Sequence, residues 1–214
     1  MSAYEVLSLD ELESIPVAEG LVWHPVRRAL DARAFGINAY SAEEVGGHVV
    51  ERHTEEKLGH EEVYVVVRGR ARFTLGGAEL DAPAGTLVFI RDPSVQREAV
   101  AEQADTLVLA VGGKPGAPYE VSAWETIFYA IPAARAGCWE EAIALHETAL
   151  EERPGHAPLL YNLACMESRG GRHDDALKHL LEAVSLEPKW ATFAQSDDDL
   201  APLRQLPGWP VARA

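Results

Sequence analysis

The sequence predicts an antiparallel β-sandwich or barrel followed by a helical domain. Between Glu62 and Val111, short apolar segments alternate with glycine turns at regular spacing, a pattern typical of sandwiches and barrels and not of βαβ folds. Beyond residue 122, alanine and leucine recur at helical spacing. Residues 114–122 contain two prolines and a glycine and are predicted to be a linker. We therefore expect a β-domain with an N-terminal extension over residues 1–113 and a helical domain over residues 123–214.

The chain is strongly acidic, with 34 acidic and 19 basic residues among 214 and a formal net charge of -15. This balance argues against nucleic acid or an anionic membrane as a partner, because both are bound by clustered lysine and arginine. The sequence shows neither an apolar run of membrane-spanning length nor the pattern of a signal peptide. We therefore expect a cytoplasmic protein. Cys138 and Cys165 are expected to be buried thiols without a disulfide.

Local patterns predict the elements of the β-domain in order. A capping box at Ser8 indicates a short helix that ends before Pro16. Gly76 and Gly77 fit a two-residue hairpin turn, because glycine accepts the positive φ that such turns require. The stretch from Ser41 to the residue before Glu62 is predicted to be a polar loop. Strands are expected over residues 23–30, 35–40, 62–67, 70–75, 78–81, 86–90, 97–101 and 106–111.

The helical region repeats at an interval of 34 residues. Residues that recur unchanged at this offset include Ala130, Gly137, Ala142, Ala149 and Pro154. Small residues at helix crossings and a closing proline at this period resemble tetratricopeptide repeats. Pro132 is expected to kink or shorten the first helix, and residues 196–204 are expected to cap the last one. A free-standing solenoid needs about three repeats, and this chain has two. We therefore expect them to pack on the β-domain or on a partner chain.

Polar residues gather where the first strongly apolar strand begins. The stretch from Gly47 to Gly69 starts with three histidines and five glutamates and continues into Val63–Val67. Side chains that can bind a metal or exchange protons are therefore predicted at the mouth of a small β-barrel. Glu62 and Tyr64 alternate onto one face of this strand.

The spacing in this stretch resembles the first motif of the cupin family, which folds as a double-stranded β-helix or small jelly roll. The motif positions are filled by Gly47, His53, Glu55, Glu62 and Gly69. Glu55 stands where the family has its second histidine, and the gap before Glu62 is longer than in the family. His60, two residues before Glu62, is an additional candidate. The resemblance covers about residues 35–113, and the whole chain resembles a bacterial cupin joined to a tetratricopeptide-repeat domain.

The second cupin motif is degraded in this chain. Gly85 opens it, but Arg91 replaces the proline and Pro93 replaces the glycine. Gln96 or Arg97 stands where the family has its metal-binding histidine, and the motif's asparagine is missing. The resemblance therefore implies the fold more strongly than it implies the metal site.

Two interpretations of the polar residues remain open. A typical cupin metal takes three imidazoles and a carboxylate, and the resemblance implies a divalent Zn, Mn, Fe or Ni ion. Its candidate ligands here are His53, Glu55, His60 and Glu62. In the alternative there is no metal, and His60 and Glu62 form hydrogen bonds that order the barrel mouth.

Arg97 suggests a ligand site in the same place. A guanidinium at the position of the lost histidine either pairs internally with Glu62 or binds a ligand carboxylate. We therefore expect His60, Glu62, Tyr64 and Arg97 to meet around one cavity. The remaining histidines are expected to face solvent or to be incidental: His24, His48, His146, His156, His173 and His179.

Two function classes follow from these residues. The first is a module that binds a small molecule, coupled to repeats that contact a protein partner or form a homodimer. The second is a cupin enzyme for a small, anionic substrate. It would be a metal-dependent dioxygenase or isomerase, or a metal-free isomerase or lyase that uses His60 and Glu62 as acid and base.

Overall fold

The computed structural model describes residues 6–17 and 20–209. The chain folds as two compact units, Met1–Val121 and Ser122–Ala214, with β-structure in the first and helices in the second. Residues 114–121, predicted from composition to be most of the linker, belong to the first unit. Among the described residues, no helix has both the length and the apolarity of a membrane span.

Antiparallel strands dominate the first unit, as predicted. A 3-10 turn at Leu9–Glu11 is capped by the Ser8 side chain, which accepts a hydrogen bond from the Asp10 N–H. A one-turn helix, α1 (Val26–Ala29), follows the second strand. The strands are β1 (Ile15–Pro16), β2 (Val22–His24), β3 (Gly36–Ala42), β4 (His48–His53), β5 (Glu61–Arg68), β6 (Arg70–Leu75), β7 (Ala78–Pro83), β8 (Leu87–Ile90), β9 (Arg97–Ala101) and β10 (Thr106–Gly113).

These strands form two sheets around a common core. Within the described residues, one sheet has the order β1-β2-β3-β10-β5-β8 and the other the order β4-β9-β6-β7. Alternation along β5 turns Tyr64 and Val66 inward, where they join Phe73 from β6 and Val108 from β10. All four are at most 2% exposed. This shared core makes the unit a β-sandwich, and it leaves the ends of β4, β5 and β9 to carry polar side chains.

The predicted polar loop before Glu62 is wrong in part, because His48–His53 forms β4. This strand pairs with β9, but irregularities shift its register between His48 and Val50 and again between Val50 and His53. Val49 and Val50 are consequently both buried. Two successive buried residues hide the alternation by which a strand is recognised in a sequence.

The predicted strand over residues 23–30 is also wrong beyond its start. The strand β2 ends at His24, and Pro25 is the cap residue from which α1 begins. Proline has no backbone N–H to donate to a sheet, so it ends the ladder and suits the start of a helix.

The second unit is helical, as predicted. Its helices are α2 (Ala123–Arg135), α3 (Trp139–Glu152), α4 (Ala157–Arg169), α5 (His173–Leu186) and α6 (Lys189–Ser196), followed by a 3-10 turn at Asp198–Leu203. Both ends of α2 and α3 recur 34 residues later as the ends of α4 and α5. The helix α2 continues past Pro132 and equals α4 in length, so the expected shortening does not occur.

Small residues allow these helices to pack closely. Ala142 and Ala176 occupy equivalent positions in the two repeats, and both are fully buried. Leu200 and Leu203 of the final 3-10 turn are also fully buried, in a cluster with residues of α4 and α5. The C-terminal segment therefore covers apolar surface that the helices alone would expose.

Some expectations about single residues were wrong. Cys165 is buried as predicted, but Cys138 is exposed, and both are free thiols. His146 is 1% exposed and His24 is 8% exposed, whereas both were expected to face solvent or to be incidental. His24 contacts Ser14 and Ser41 from other segments of the chain, which periodicity does not reveal.

Candidate functional site

The site lies where three strands of the β-sandwich bring polar side chains to one end. His53 is the last residue of β4 and stands opposite Arg97, the first residue of β9. Glu62 and Tyr64 reach the same place from β5, in the other sheet. Glu55 follows in the turn after β4, where its backbone N–H donates to the Pro93 carbonyl at 2.9 Å. The structure thus brings together residues that the sequence separates by more than thirty positions.

Glu62 is held as an acceptor by two donors. Its Oε2 atom accepts a hydrogen bond from the Tyr64 hydroxyl at 2.6 Å and another from Arg97 Nη1 at 2.9 Å. Burial alone would raise the pKa of Glu62, but the nearby His53 imidazole, the Tyr64 hydroxyl and the charge of Arg97 hold it below its usual value. Glu62 is therefore a fixed, ionised carboxylate at neutral pH.

Arg97 is fully buried and bonded within the protein. Besides Nη1, which reaches Glu62, its Nε donates to the Val95 carbonyl at 3.2 Å and its Nη2 to the Pro93 carbonyl at 3.2 Å. Of the two alternatives for this residue, the structure contains the internal ion pair. In this arrangement Arg97 orients Glu62.

Glu55 is the least satisfied group of the site. Its Oε2 atom is buried and has no hydrogen-bond partner. His60 Nδ1 lies 3.0 Å from this oxygen, at ion-pair distance, without forming a hydrogen bond to it. Burial, and then the negative charge of Glu62, raises the pKa of Glu55 to about 7 against the opposing charges of His53 and Arg97. Glu55 therefore exchanges its proton near neutral pH, whereas its neighbour Glu62 stays ionised.

The pKa values of the two site histidines are shifted in opposite directions. His53 Nδ1 donates to the Glu51 carbonyl at 2.7 Å, so its Nε2 faces Glu55 at 3.6 Å and Glu62 at 3.8 Å. Burial lowers the pKa of His53, but Glu62 and the Glu51 carbonyl raise it more, leaving it above its usual value. For His60, burial is the largest influence and, with the charge of Lys114, holds its pKa low despite Glu62.

Three of the four predicted metal ligands form a compact group. One ligand atom each of His53, Glu55 and Glu62 lies within 4.8 Å of the others, whereas His60 is not part of this group. His53 has the usual arrangement of a metal ligand, with its second ring nitrogen donating to a backbone carbonyl. The unsatisfied Glu55 Oε2 also fits a cation. One imidazole and two carboxylates suit Mn, Fe or Zn, so the residues fit a divalent ion even with Arg97 in place of a ligand.

Tyr119 forms one wall of the site that was not predicted from the sequence. The Tyr119 ring lies 5.9 Å from the His60 ring, between centroids. A Cβ atom on Gly36 would come within 2.7 Å of the Tyr119 hydroxyl, and one on Gly112 within 2.8 Å of Glu62 Cγ. The signal in the sequence was the Gly112-Gly113 pair at the end of an apolar strand, since glycine there indicates a close approach of another group.

No family model matches this chain, and no curated protein matches it either. Solved structures do show a likeness. KdgF from Halomonas sp. aligns over 57% of this chain and 99% of its own, with 15% identity and a TM-score of 0.43. An RmlC-like cupin from Shewanella frigidimarina aligns over 53% and 95%, with 16% identity and a TM-score of 0.40.

A third similar structure is a sugar phosphate isomerase from the cupin superfamily of Silicibacter pomeroyi. It aligns over 51% of this chain and 76% of its own, with 19% identity and a TM-score of 0.44. At these identities and TM-scores, none of the three transfers a function to this chain.

Proposed function

We propose that the β-sandwich is a cupin-type module that binds a small molecule at the site of His53, Glu55, His60 and Glu62. The observation that carries this proposal is Glu55 Oε2, a buried oxygen without a hydrogen-bond partner. Leaving such an atom unsatisfied costs about 1–3 kcal/mol. A bound ligand that donates to this oxygen would recover that free energy.

The site offers a ligand two carboxyl groups with different roles. Glu62 is ionised and already accepts from Tyr64 and Arg97, so these two residues position it and do not need to touch the ligand. Glu55, with its pKa near 7, can either donate or accept. This pairing suits a ligand whose hydroxyl or amine group lies against Glu55.

The second candidate function is an enzyme, and the separation of the two carboxyl pKa values favours it. Adjacent acids whose pKa values differ are a common arrangement for proton transfer. A metal-free isomerase or lyase would use Glu55 as the exchanging group and Glu62 as the fixed charge. In a metal-dependent dioxygenase or isomerase, His53, Glu55 and Glu62 would hold the ion, which would act as a Lewis acid when bound.

The helical unit would serve a different purpose in the same protein. Its 34-residue recurrence supports a tetratricopeptide-type pair of repeats, which would contact a protein partner or a second copy of the chain. Light scattering tests whether the helical unit binds a second copy of the chain. A full chain that is dimeric, and becomes monomeric when the helical unit is removed, supports this contact. A monomeric full chain contradicts it. The acidic charge and the free thiols fit a cytoplasmic location.

The main test combines metal analysis with a ligand screen. Protein purified without a histidine tag is analysed for Mn, Fe, Ni and Zn, and a small-molecule library is screened by thermal shift on the parent, Glu55→Gln and Glu56→Gln. Glu56 is the matched control because it is the exposed neighbour of Glu55. Ligands that stabilise the parent and Glu56→Gln but not Glu55→Gln support the binding module. Stoichiometric metal favours the enzyme, and ligands that bind all three proteins equally contradict the proposed site.

A further inference from the structure

The segment after β10 returns to the site with a lysine. Gly113 pairs with Glu61 of β5, so Lys114 begins beside the start of that strand. A Cβ atom on Gly59 would lie 3.7–3.9 Å from three carbons of the Lys114 side chain. The lysine stem therefore lies over the turn that leads into His60, and this exposed side chain is near enough for its charge to lower the pKa of His60.

Lys114 makes no ion pair within residues 6–17 and 20–209. Several other basic residues of this unit are paired, including Arg97 with Glu62 and Arg70 with Asp81, whereas Lys57, like Lys114, is in no ion pair among the described residues. Within the described part of the chain, Lys114 is an unpaired cation beside the turn that leads into His60. It leaves a positive charge at the rim that a bound anion can approach.

Tyr119 closes the same side of the site. Its ring fits between Gly36 and Gly113, where a Cβ atom would come within 2.7 Å on Gly36 but only 3.9 Å on Gly113. The ring lies against His60, whose Nδ1 in turn approaches Glu55. Tyr119, His60 and Glu55 thus form a continuous edge that leads to the unsatisfied carboxyl oxygen, and Lys114 lies beside the turn before His60.

We propose that Lys114 and Tyr119 form the specificity wall of this site, and that its ligand is a small organic anion with a carboxylate or phosphate group on Lys114. The rest of the ligand passes Tyr119 and His60 and places a hydroxyl or amine on Glu55. This inference rests on the proposed small-molecule site and adds the chemical class of its ligand. The anion is thus expected to contact Lys114 at the rim and not Arg97, which is buried and bonded to Glu62.

The charge test uses succinate, glycerol 3-phosphate and inorganic phosphate as anionic probes, with succinamide and glycerol as neutral counterparts. Binding is followed by chemical-shift changes of the His60 and Tyr119 rings in the full chain. We expect saturable binding of at least one anion and weaker binding of its neutral counterpart. Lys114→Gln should lower the affinity for the anion by about tenfold or more, because a charge-assisted contact is lost. Whether succinate or the phosphates bind better identifies the anionic group.

The matched control for Lys114→Gln is Lys178→Gln, an identical charge change at an exposed lysine of the helical unit. It should leave anion binding unchanged. Equal loss in both variants would mean that only the net charge matters, and it would overturn the contact with Lys114.

The wall itself is tested by a pair of glycine substitutions. Gly36→Ala collides with Tyr119, whereas Gly113→Ala meets the same ring at ordinary contact distance. We expect Gly36→Ala to weaken anion binding and Gly113→Ala to preserve it. Tyr119→Ala removes the ring directly and keeps the test independent of how well Gly36→Ala folds. Unchanged anion binding in Tyr119→Ala would overturn the role of this residue.

The outcomes separate this inference from the proposed function. If Lys114→Gln binds the anions like the parent while Glu55→Gln does not, the wall is wrong and the small-molecule site stands. If none of the anions binds the parent at millimolar concentration, the ligand class is wrong, and the library screen on Glu55→Gln still decides the proposed function. If neither the anions nor any library compound depends on Glu55, both proposals fail.

Discussion

Arg97 Nη1 donates to Glu62 Oε2 at 2.9 Å, and the arginine that makes this contact is completely buried. The pair joins the two sheets, because Arg97 begins β9 and Glu62 lies on β5. Tyr64 donates to the same oxygen at 2.6 Å. The site is thus built around a carboxylate whose charge and position are set before any ligand arrives.

Removing the arginine should therefore destabilise the β-sandwich strongly. Arg97→Ala leaves Glu62 buried beside Tyr64 without its cation, and we expect a loss of about 3–5 kcal/mol in the free energy of unfolding. Arg97→Lys should recover only part of it, because lysine lacks the planar fork that reaches Val95 and Pro93 as well. The free energy of unfolding is measured by urea titration in which hydrogen exchange of the Val66 amide is the probe. The control is Arg91→Ala, at an exposed position. Equal stability of Arg97→Ala and Arg91→Ala would contradict the structural role.

Glu55 should make the stability of the β-sandwich depend on pH. Its pKa of about 7 lies above the ordinary value of 4.5, so the folded state holds the proton more tightly than the unfolded state does. This contribution to the free energy of unfolding is present at low pH and is lost as the pH rises through 7. The total loss is up to about 3 kcal/mol. Glu55→Gln should remove this loss, and Glu56→Gln should retain it.

The measurement is the unfolding free energy of the β-sandwich in chelator at several values between about pH 5 and pH 8. Only the difference between the two variants is informative, because other groups titrate in the same range. Parallel curves for Glu55→Gln and Glu56→Gln would show that Glu55 keeps an ordinary pKa.

His146 should give the helical unit the opposite pH dependence. Burial lowers the pKa of His146, although its Nδ1 hydrogen bond to the Ala142 carbonyl opposes this, and its Nε2 has no partner. The unfolded state therefore binds the proton more readily, and stability falls as the pH drops below the ordinary value of 6.5. The equivalent residue in the second repeat is Leu180, which is fully buried.

His146→Leu should consequently stabilise the helical unit by about 1–2 kcal/mol at neutral pH and remove the loss on acidification. Hydrogen exchange of the α3 and α4 amides at two pH values measures both effects. The exposed His173→Leu is the control, and it should change neither. A destabilised His146→Leu protein would show that the buried imidazole makes a contribution that leucine cannot replace.

The helical unit should not be stable alone. Two repeats with a short cap bury little apolar surface, so the stabilisation from this burial does not offset the chain entropy that is lost on folding. A fragment beginning at Ala123 is expected to melt weakly and without cooperativity in circular dichroism. A sharp transition at the temperature of the full chain would contradict this expectation.

The sequence by itself determined the features that depend on local periodicity. The strands at Arg70–Leu75 and Arg97–Ala101 were predicted to the residue, because alternation and glycine turns are local signals. The 34-residue recurrence likewise predicted a second unit made of helices. His60, Glu62, Tyr64 and Arg97 were expected to meet, since the cupin resemblance implied which strand ends lie together. In the structure Glu62 accepts from Tyr64 and Arg97, whereas His60 approaches Glu55.

Only the tertiary structure decided how those residues are used. The shifted register of β4 buries two neighbouring valines, so periodicity could not identify the strand that ends at His53. The near-neutral pKa of Glu55 arises from burial and from Glu62, neither of which its own neighbours in sequence reveal. Tyr119 reaches His60 because glycines on other strands leave space for its ring. Burial, charge and free space at a site are properties of contacts between distant segments, and such contacts exist only in the folded chain.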